Sequence, residues 1–300
     1  MSKQSKRLTS RRRFLLWMIL PGVLAVLTLT YYPLSRGIVM AFQHYTLWDI
    51  FDRRFIAFQN FIEIFRTPEF PTLLWNTARW VFVSLFFQFL LGFALALLLK
   101  RKFRGSGIYQ GIVYVPWAIS GSLIGLIWRW LMNGQSGALN DVLMRLNLIA
   151  QPIRWLSDIN IVLWSCIIAN VWYGVPFFAI MIQAALKGVP DELYEAADID
   201  GSGALYKFNH ITLPYIAPVL VLTTLLRVIW ILNFPDLIYT MTRGGPANAS
   251  HILSTYMIDM LMFNQDYGKA SAYGVIILAV LVSYAVFYLR ITRYEEGSDF

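Results

Sequence analysis

The residues that could do chemistry are few, and their pattern favours binding over catalysis. The three histidines, His44, His210 and His251, are scattered along the chain. The sequence contains no P-loop, no H-E-x-x-H, no C-x-x-C and no G-x-S-x-G motif. The single cysteine, Cys166, lies in an apolar run and excludes an intrachain disulfide. We therefore predict no catalytic residue, no metal site and no cofactor bound by this chain.

Eight residues inside apolar segments share helix faces by their spacing. One face repeats at i, i+3, i+4 and i+7, and the two others at i and i+4. They are Asn170, Tyr173, Gly174 and Phe177 on the first face, Trp117 and Gly121 on the second, and Arg227 and Ile231 on the third. Aromatic rings that stack on C–H groups, beside amide and guanidinium donors for hydroxyls, suit a sugar.

Each of these residues also has a plainer interpretation. Trp117, Tyr173 and Phe177 could be ordinary helix packing. Asn170 is the strongest candidate for a solute contact, because an unpaired amide in an apolar helix is costly. Arg227 could bind an anionic group of a solute, or it could pair with another protein group.

One polar interval, residues 189–214, separates two apolar segments and carries five carboxylates. A proline followed by acidic residues is typical of a helix start. Gly201 is predicted to end this helix, and Ser202 to cap a second turn on which Leu205 and Phe208 share a side. A pair of helices this short, apolar on one face, is predicted to dock into a partner.

Composition predicts an all-α integral membrane protein. The 300 residues are 58% hydrophobic and only 14% charged, with a mean hydropathy of +0.56. Apolar runs predict six transmembrane helices, at about residues 14–32, 80–99, 108–131, 161–185, 213–234 and 272–289. A signal peptide is the alternative for the first run, which is longer than a usual signal sequence and is followed by no small-residue cleavage site.

The basic residues predict the orientation of the chain in the membrane. The net charge of the chain, +8, could suggest a nucleic-acid partner. The basic residues flank apolar runs instead, and we predict no nucleic-acid partner. Fourteen of the 25 Lys and Arg residues lie in the two tails and in the second–third and fourth–fifth connections. The three other connections are longer and hold eight. Both termini and residues 189–214 are therefore predicted to face the cytoplasm.

The polar interval resembles the EAA loop of binding-protein-dependent ABC importer permeases. The resemblance rests on Glu195-Ala196-Ala197, Asp200-Gly201 and Ile211-Thr212-Leu213-Pro214, although Ser202 stands where the family usually has a small apolar residue. In that family the loop is a cytoplasmic coupling helix that seats in an ATPase subunit. The resemblance implies an ATPase contact for Glu195, Ala196, Ala197, Asp200, Gly201, Leu205, Phe208, Leu213 and Pro214.

The connections on the other side resemble the carbohydrate class of the same family (maltose, multiple-sugar and glycerol-3-phosphate type). The matching segments are Phe58-Gln59-Asn60-Phe61, Asn76-Thr77, Gly137-Ala138-Leu139-Asn140, Thr242-Arg243-Gly244-Gly245-Pro246, Tyr256 and Tyr267-Gly268-Lys269-Ala270-Ser271-Ala272. Gly244, Gly245 and Pro246 are expected to face a solute-binding protein.

The resemblance implies a function and a set of partners. The chain would be a permease domain, residues 14–300, behind a basic tail, residues 1–13, in a bacterial or archaeal cytoplasmic membrane. It would pair with a second, similar permease, with two ATPases that hold ATP and Mg²⁺, and with an extracytoplasmic protein that delivers a sugar-type solute. An ion-gradient-driven transporter or channel is the alternative, but it would need acidic groups within the predicted spans, where the sequence has none.

Overall fold

The computed structural model describes residues 3–49, 51–100 and 104–292, with the backbone alone for residues 3–13. In this part of the chain the all-α prediction is confirmed, since the only strand-like pairs are two isolated bridges, Gln43–Phe55 and Thr46–Asp266. The α-helices are α1 (Lys3–Val26), α2 (Tyr32–Met40), α3 (Gln59–Arg66), α4 (Phe70–Lys100), α5 (Ser106–Ala118), α6 (Gly121–Leu131), α7 (Ala138–Arg145), α8 (Val162–Lys187), α9 (Asp191–Ile199), α10 (Ala204–Lys207), α11 (Leu213–Leu232), α12 (Pro235–Thr242), α13 (Leu253–Met262) and α14 (Tyr267–Thr292).

The six predicted spans correspond to helical stretches that are long and apolar enough to cross a bilayer. Among the described residues there are five continuous stretches of this kind, and a sixth if one bent helix pair counts as a single span. They are Phe14–Met40, Phe70–Lys100, the pair Ser106–Ala118 and Gly121–Leu131, Val162–Lys187, Ala204–Thr242 and Tyr267–Thr292. The chain is therefore a multi-pass integral membrane protein.

The third span, predicted as one helix at about residues 108–131, is broken into two helices. Helices α5 and α6 meet at an angle of 99°. Ile119 is extended, with φ −96° and ψ 145°, and the hydroxyl of Ser120 accepts the N–H of Leu123 as the cap of α6. Ser120 thus satisfies a backbone donor at the new helix start, which makes a break tolerable inside an apolar segment.

Two other spans contain a single widened turn just before a proline. Leu27–Tyr31 and Phe208–Thr212 are π-helical, and Pro33 and Pro214 follow in the first turn of the next α-helix. Proline lacks an N–H and its ring crowds the carbonyl four residues earlier. Widening the turn to i→i+5 bonds relieves this crowding while the backbone stays hydrogen-bonded.

The chain divides into two compact units. The first comprises the described residues of Met1–Arg66 and Asp259–Ile276, and the second those of Thr67–Ile258 and Ile277–Phe300. In the second unit α4, α8 and α11 pack around a buried apolar cluster made of Ala96, Phe177, Phe178, Ile182, Leu186, Val189 and Ile216. The single permease domain of residues 14–300 stays a prediction.

The predicted membrane orientation also stays a prediction. It depends on basic side chains of residues 1–13, on Arg101 and Lys102, and on Arg293. All of these lie outside the described side chains.

Candidate functional site

Three buried polar side chains meet where α4, α8 and α11 pack together. Gln88 on α4 and Asn170 on α8 are fully buried, and Arg227 on α11 is 2% exposed. The Nε–H of Arg227 donates to Oε1 of Gln88 at 2.7 Å. The Nε2 of Gln88 donates to the backbone oxygen of Asn170 at 2.7 Å and approaches its Oδ1 at 3.3 Å. Gln88 therefore links the other two helices through both ends of its amide.

The charge of Arg227 is stabilised by aromatic faces and not by an acid. Its guanidinium carbon lies 5.4 Å from the ring centre of Tyr173 and 5.7 Å from that of Phe177. No ion pair among the described residues includes Arg227, and its Nη2 is buried without a hydrogen-bond partner. The Nδ2 of Asn170 is likewise buried without a hydrogen-bond partner. Two donors of this network are thus left without a protein partner inside an apolar bundle.

A cavity of about 190 Å³ opens beside this network. Tyr173 and Phe234 stack with ring centres 4.9 Å apart and planes 9° from parallel, and Trp230 contacts Phe177 at 5.0 Å. The lining residues are Tyr173, Arg227, Trp230, Ile231, Asn233 and Phe234. Three of these six residues are aromatic, and the guanidinium of Arg227 and the amide of Asn233 add hydrogen-bonding groups.

Only some of the eight predicted solute-contact residues line the cavity. Tyr173, Arg227 and Ile231 line the cavity. In this conformation Asn170 and Gly174 belong to the packed interior instead. A side chain at Gly174 would overlap Gln88 and Arg227, so this glycine makes room for these two side chains. The contact of Asn170 with a solute stays a prediction.

The other three predicted residues surround the same aromatic groups. Trp117 contacts the ring of Phe177, with centres 5.9 Å apart, and Phe177 itself is buried. A side chain at Gly121 would overlap the ring of Phe234. Gly121 therefore allows Phe234 to approach α6, next to its stack on Tyr173.

Sequence reasoning missed Gln88 and three of the cavity residues. Gln88 is a lone amide in the apolar run of α4, and by the cost argument applied to Asn170 it needed a partner. Trp230 lies three residues after Arg227, on the same helix face. Asn233 and Phe234 could not be found from periodicity, because they lie where α11 ends and α12 begins.

The polar interval forms the predicted short helix and turn. Helix α9 ends at Ile199 with Asp200 as its C-cap, and Gly201 follows with φ +71°. The N–H of Ser202 bonds to the carbonyl of Ala197 at 2.9 Å, and that of Gly201 to Asp198 at 3.0 Å. This bond pair is the Schellman arrangement, which requires a left-handed residue after the helix. The predicted stop at Gly201 is confirmed.

The cap of the next turn was wrongly assigned to Ser202. Helix α10 begins after Gly203, and no side chain caps it. Leu205 and Phe208, which were predicted to share one side, have different surroundings. Leu205 is 74% exposed, whereas Phe208 is half-buried against Phe93, with ring centres 6.0 Å apart. The backbone after Gly201 turns Leu205 away from the core.

The two faces of α9 differ in what they contact. On the inner face Ala197 is buried and the hydroxyl of Tyr194 is bonded to Thr212 at 2.7 Å. On the outer face Glu195 and Ala196 are exposed, and Ile199 is 88% exposed. Leu213 and Pro214, at the start of α11, are exposed as well. Helices α9 and α10, which we call the α9–α10 platform, thus expose an acidic and apolar surface to solvent.

The last predicted external loop is tightly folded. The Gly245–Pro246 peptide is cis, Gly244 has φ +79°, and the ring of His251 occupies the space of a side chain at Gly244. The amide of Asn76 donates to the carbonyls of Ala249 and His251, both at 3.0 Å. Asn76, one of the residues that carried the sequence resemblance, therefore fixes this loop.

Comparison with known proteins decides the family. Residues 88–294 match the family model described as the binding-protein-dependent transport system inner membrane component. The chain belongs to this family. It is a transport permease, and nothing found here favours the alternative of an ion-gradient-driven transporter or channel.

Two permease relatives are similar over most of their length. The chain is 32% identical to the trehalose/maltose transport system permease protein MalF of Thermococcus litoralis, over 93% of each chain. It is 31% identical to the sulfoquinovosyl glycerol transport system permease protein SmoG of Agrobacterium fabrum, over 93% of this chain and 90% of that protein.

A solved permease has the same fold. A chain of the bacterial alginate ABC transporter, in complex with its alginate pentasaccharide-bound periplasmic protein, matches with a TM-score of 0.81 and 25% identity. The match covers 95% of each chain.

Proposed function

We propose that this permease is one subunit of an ATP-driven ABC importer for a sugar or sugar derivative. The observation that carries the proposal is the cavity between α8 and α11, where the rings of Tyr173, Trp230 and Phe234 lie beside the guanidinium of Arg227. Rings stack on the C–H faces of a sugar, and a guanidinium donates to its hydroxyl or acidic groups. The printed names of the two relatives, for trehalose/maltose and for sulfoquinovosyl glycerol, support this class of solute.

The proposed coupling residues lie on α9, on α10 and at the start of α11, and they are Glu195, Ala196, Ala197, Asp200, Gly201, Leu205, Phe208, Leu213 and Pro214. Glu195 presents a carboxylate, and Ile199 and Leu205 present apolar side chains, on a platform fixed from below by Tyr194 and Ala197. Such a surface suits a cleft in a separate ATPase subunit that binds ATP and Mg²⁺. Two ATPases would serve the two permease chains of one transporter.

The remaining partners are a second permease and a binding protein. The apolar window of Phe14–Met40 has none of its residues buried within this chain, and this span is proposed to contact lipid and a second permease chain. Gly244, Gly245 and Pro246 are proposed to face the solute-binding protein. The structural relative, which was solved with its periplasmic protein, supports a partner of that kind.

The proposed location is the cytoplasmic membrane of a bacterium or archaeon. Both termini and the α9–α10 platform would face the cytoplasm, as the distribution of Lys and Arg indicates.

ATP binding would close the ATPase pair, the α9–α10 platform would move with it, and the helix bundles would rock to expose the cavity to the other side. This chain would make no covalent bond in the cycle.

An uptake assay in cells tests the proposal. Cells that lack this chain should lose uptake of at least one radiolabelled solute from a panel of neutral disaccharides, sugar acids and sulfonated sugars. A plasmid copy should restore it, and uptake of methionine serves as the control. Depleting ATP should stop the restored uptake, whereas an ionophore that collapses ion gradients should leave it. Loss of methionine uptake alone, or uptake that follows the ion gradient, would overturn the proposal.

A further inference from the structure

The first compact unit contains a short helix, α3, whose three faces have different characters. Its inner face is buried, with Asn60 at 4% exposure and Ile64 at 2%. A second face is polar and carries Gln59, Glu63 and Arg66. The third face is apolar yet exposed, which is uncommon for a helix in contact only with protein and water.

The apolar face is a continuous surface, which we call the α3 stripe and define as Phe55, Phe58, Ile62 and Phe65. Ile62 and Phe65 lie on one side of α3, and Phe58, directly before the helix, continues the same i, i+4 and i+7 spacing. Phe55 joins them through Phe42, whose ring lies 6.5 Å from that of Phe55 and 5.4 Å from that of Phe58. The exposed fractions are 72% for Phe55, 65% for Phe58, 48% for Ile62 and 57% for Phe65.

Two anchors hold α3 at the level where membrane-spanning helices end. The amide of Asn60 donates to the carbonyls of Ala41 and Gln43, at 2.9 and 3.0 Å, directly after α2 ends. On the other side Glu63 pairs with Lys269, in the first turn of α14, at 2.9 Å. This ion pair lowers the pKa of Glu63, with the hydrogen bond from Lys269 as the main cause. Both Phe14–Met40 and Tyr267–Thr292 are apolar spans, so α3 is held beside the boundary of the bilayer.

Basic side chains beside the stripe suit a phospholipid surface. Arg53 and Arg54 are exposed, and the guanidinium of Arg53 lies 4.1 Å above the ring of Tyr45. Aromatic residues and arginines are typical of the region where acyl chains meet phosphate headgroups. A water-soluble partner would not explain why the stripe lies at the height of two span ends.

We infer that α3 lies flat in the headgroup region of the bilayer, on the side where α2 ends, with the α3 stripe in contact with lipid. The buried face then rests on the protein, the polar face meets water, and the stripe inserts among the acyl chains. Helix α3 would anchor the long first connection to the membrane and fix the height of the loop that follows α2. This role is independent of which solute the permease carries.

Site-directed spin labelling in lipid vesicles tests the inference. Cys166 is the only cysteine and is fully buried, so Ile62→Cys and Phe58→Cys can be labelled in the full-length chain within its assembled transporter. The vesicles contain phosphatidylethanolamine and phosphatidylglycerol. Collision rates of the nitroxide are measured with oxygen, which concentrates in lipid, and with a water-soluble nickel chelate. Arg66→Cys, on the polar face of the same helix, is the matched control.

The expected result is an oxygen-to-nickel collision ratio several-fold higher at Ile62 and Phe58 than at Arg66. Equal ratios at the three positions would show that the stripe faces water and would overturn the inference. Low collision with both reagents at Ile62 and Phe58 would overturn it too, because the stripe would then be covered by another protein.

Discussion

Arg227 donates its Nε–H to the Oε1 atom of Gln88 at 2.7 Å, and this bond is the only link between the buried guanidinium and a hydrogen-bond acceptor among the described side chains. Gln88 uses its other amide end to reach the backbone of Asn170. One uncharged side chain on α4 therefore fixes the position of a charge on α11 and connects both to α8. The geometry of the cavity beside Arg227 depends on a residue that does not line it.

Replacement of Gln88 by leucine should destabilise the permease. The change removes the acceptor of Arg227 while it keeps the side-chain volume similar, and a lost hydrogen bond to a charged group costs about 1.5–3 kcal/mol. Thermal unfolding of the detergent-solubilised protein measures the loss. Gln88→Glu is the control, because it keeps an oxygen facing Arg227, and it should be more stable than Gln88→Leu. Equal stability of the two variants would show that the bond to Arg227 contributes little.

The sequence was sufficient for the helices and for one turn, and insufficient for what depends on packing. The end of α9 at Gly201 could be predicted locally. Glycine adopts positive φ without a steric penalty, so a glycine directly after a helical pattern marks the helix end. Gln88 could be recognised as costly, but its partners lie about 80 and 140 residues away along the chain, and no local rule selects them. The bend between α5 and α6 was missed because hydropathy continues across Ile119 and Ser120.

Gly201 should tolerate asparagine better than valine. Its φ of +71° lies in the left-handed region, and a side chain there would meet no atom within 4 Å. The penalty is therefore one of backbone conformation and not of space, at roughly 1–2 kcal/mol for an ordinary residue and less for asparagine. ATP-dependent uptake should fall severely in Gly201→Val and only mildly in Gly201→Asn. Similar uptake in both variants would show that the function of this turn does not depend on a left-handed residue at position 201.

Glu195→Lys should weaken the contact with the ATPase without preventing membrane insertion. Glu195 is exposed on the outer face of α9, and no hydrogen bond or ion pair among the described residues involves it. Reversal of its charge should reduce copurification of the ATPase and uncouple ATP hydrolysis from uptake. Glu195→Gln removes the charge without reversing it and is the matched control, in which copurification and coupling should fall less than in Glu195→Lys. Uptake at the wild-type level in Glu195→Lys would reject the contact.

Asn170→Ala should lower transport per assembled complex while assembly is little affected. The reason is that the Nδ2 of Asn170 is buried without a protein partner, so its removal sacrifices no bond in this conformation. The remaining contact, Oδ1 to Gln88 at 3.3 Å, is weak. We expect Nδ2 to donate to the solute when the helices around the cavity move, and capture by the binding protein should be unchanged because it occurs on another molecule.

A second variant on α8 separates a transport effect from a packing effect. Ser165 is also buried, and its hydroxyl is already bonded to the carbonyl of Trp155 at 2.9 Å. Ser165→Ala should therefore destabilise the fold by roughly 0.5–1.5 kcal/mol, the net contribution of a typical intramolecular hydrogen bond. It should reduce the amount of folded complex and leave transport per complex intact. The two quantities are measured as purified complex and as uptake divided by that amount. If Asn170→Ala behaves like Ser165→Ala, with less complex and unchanged transport per complex, Asn170 is a packing residue and does not contact the solute.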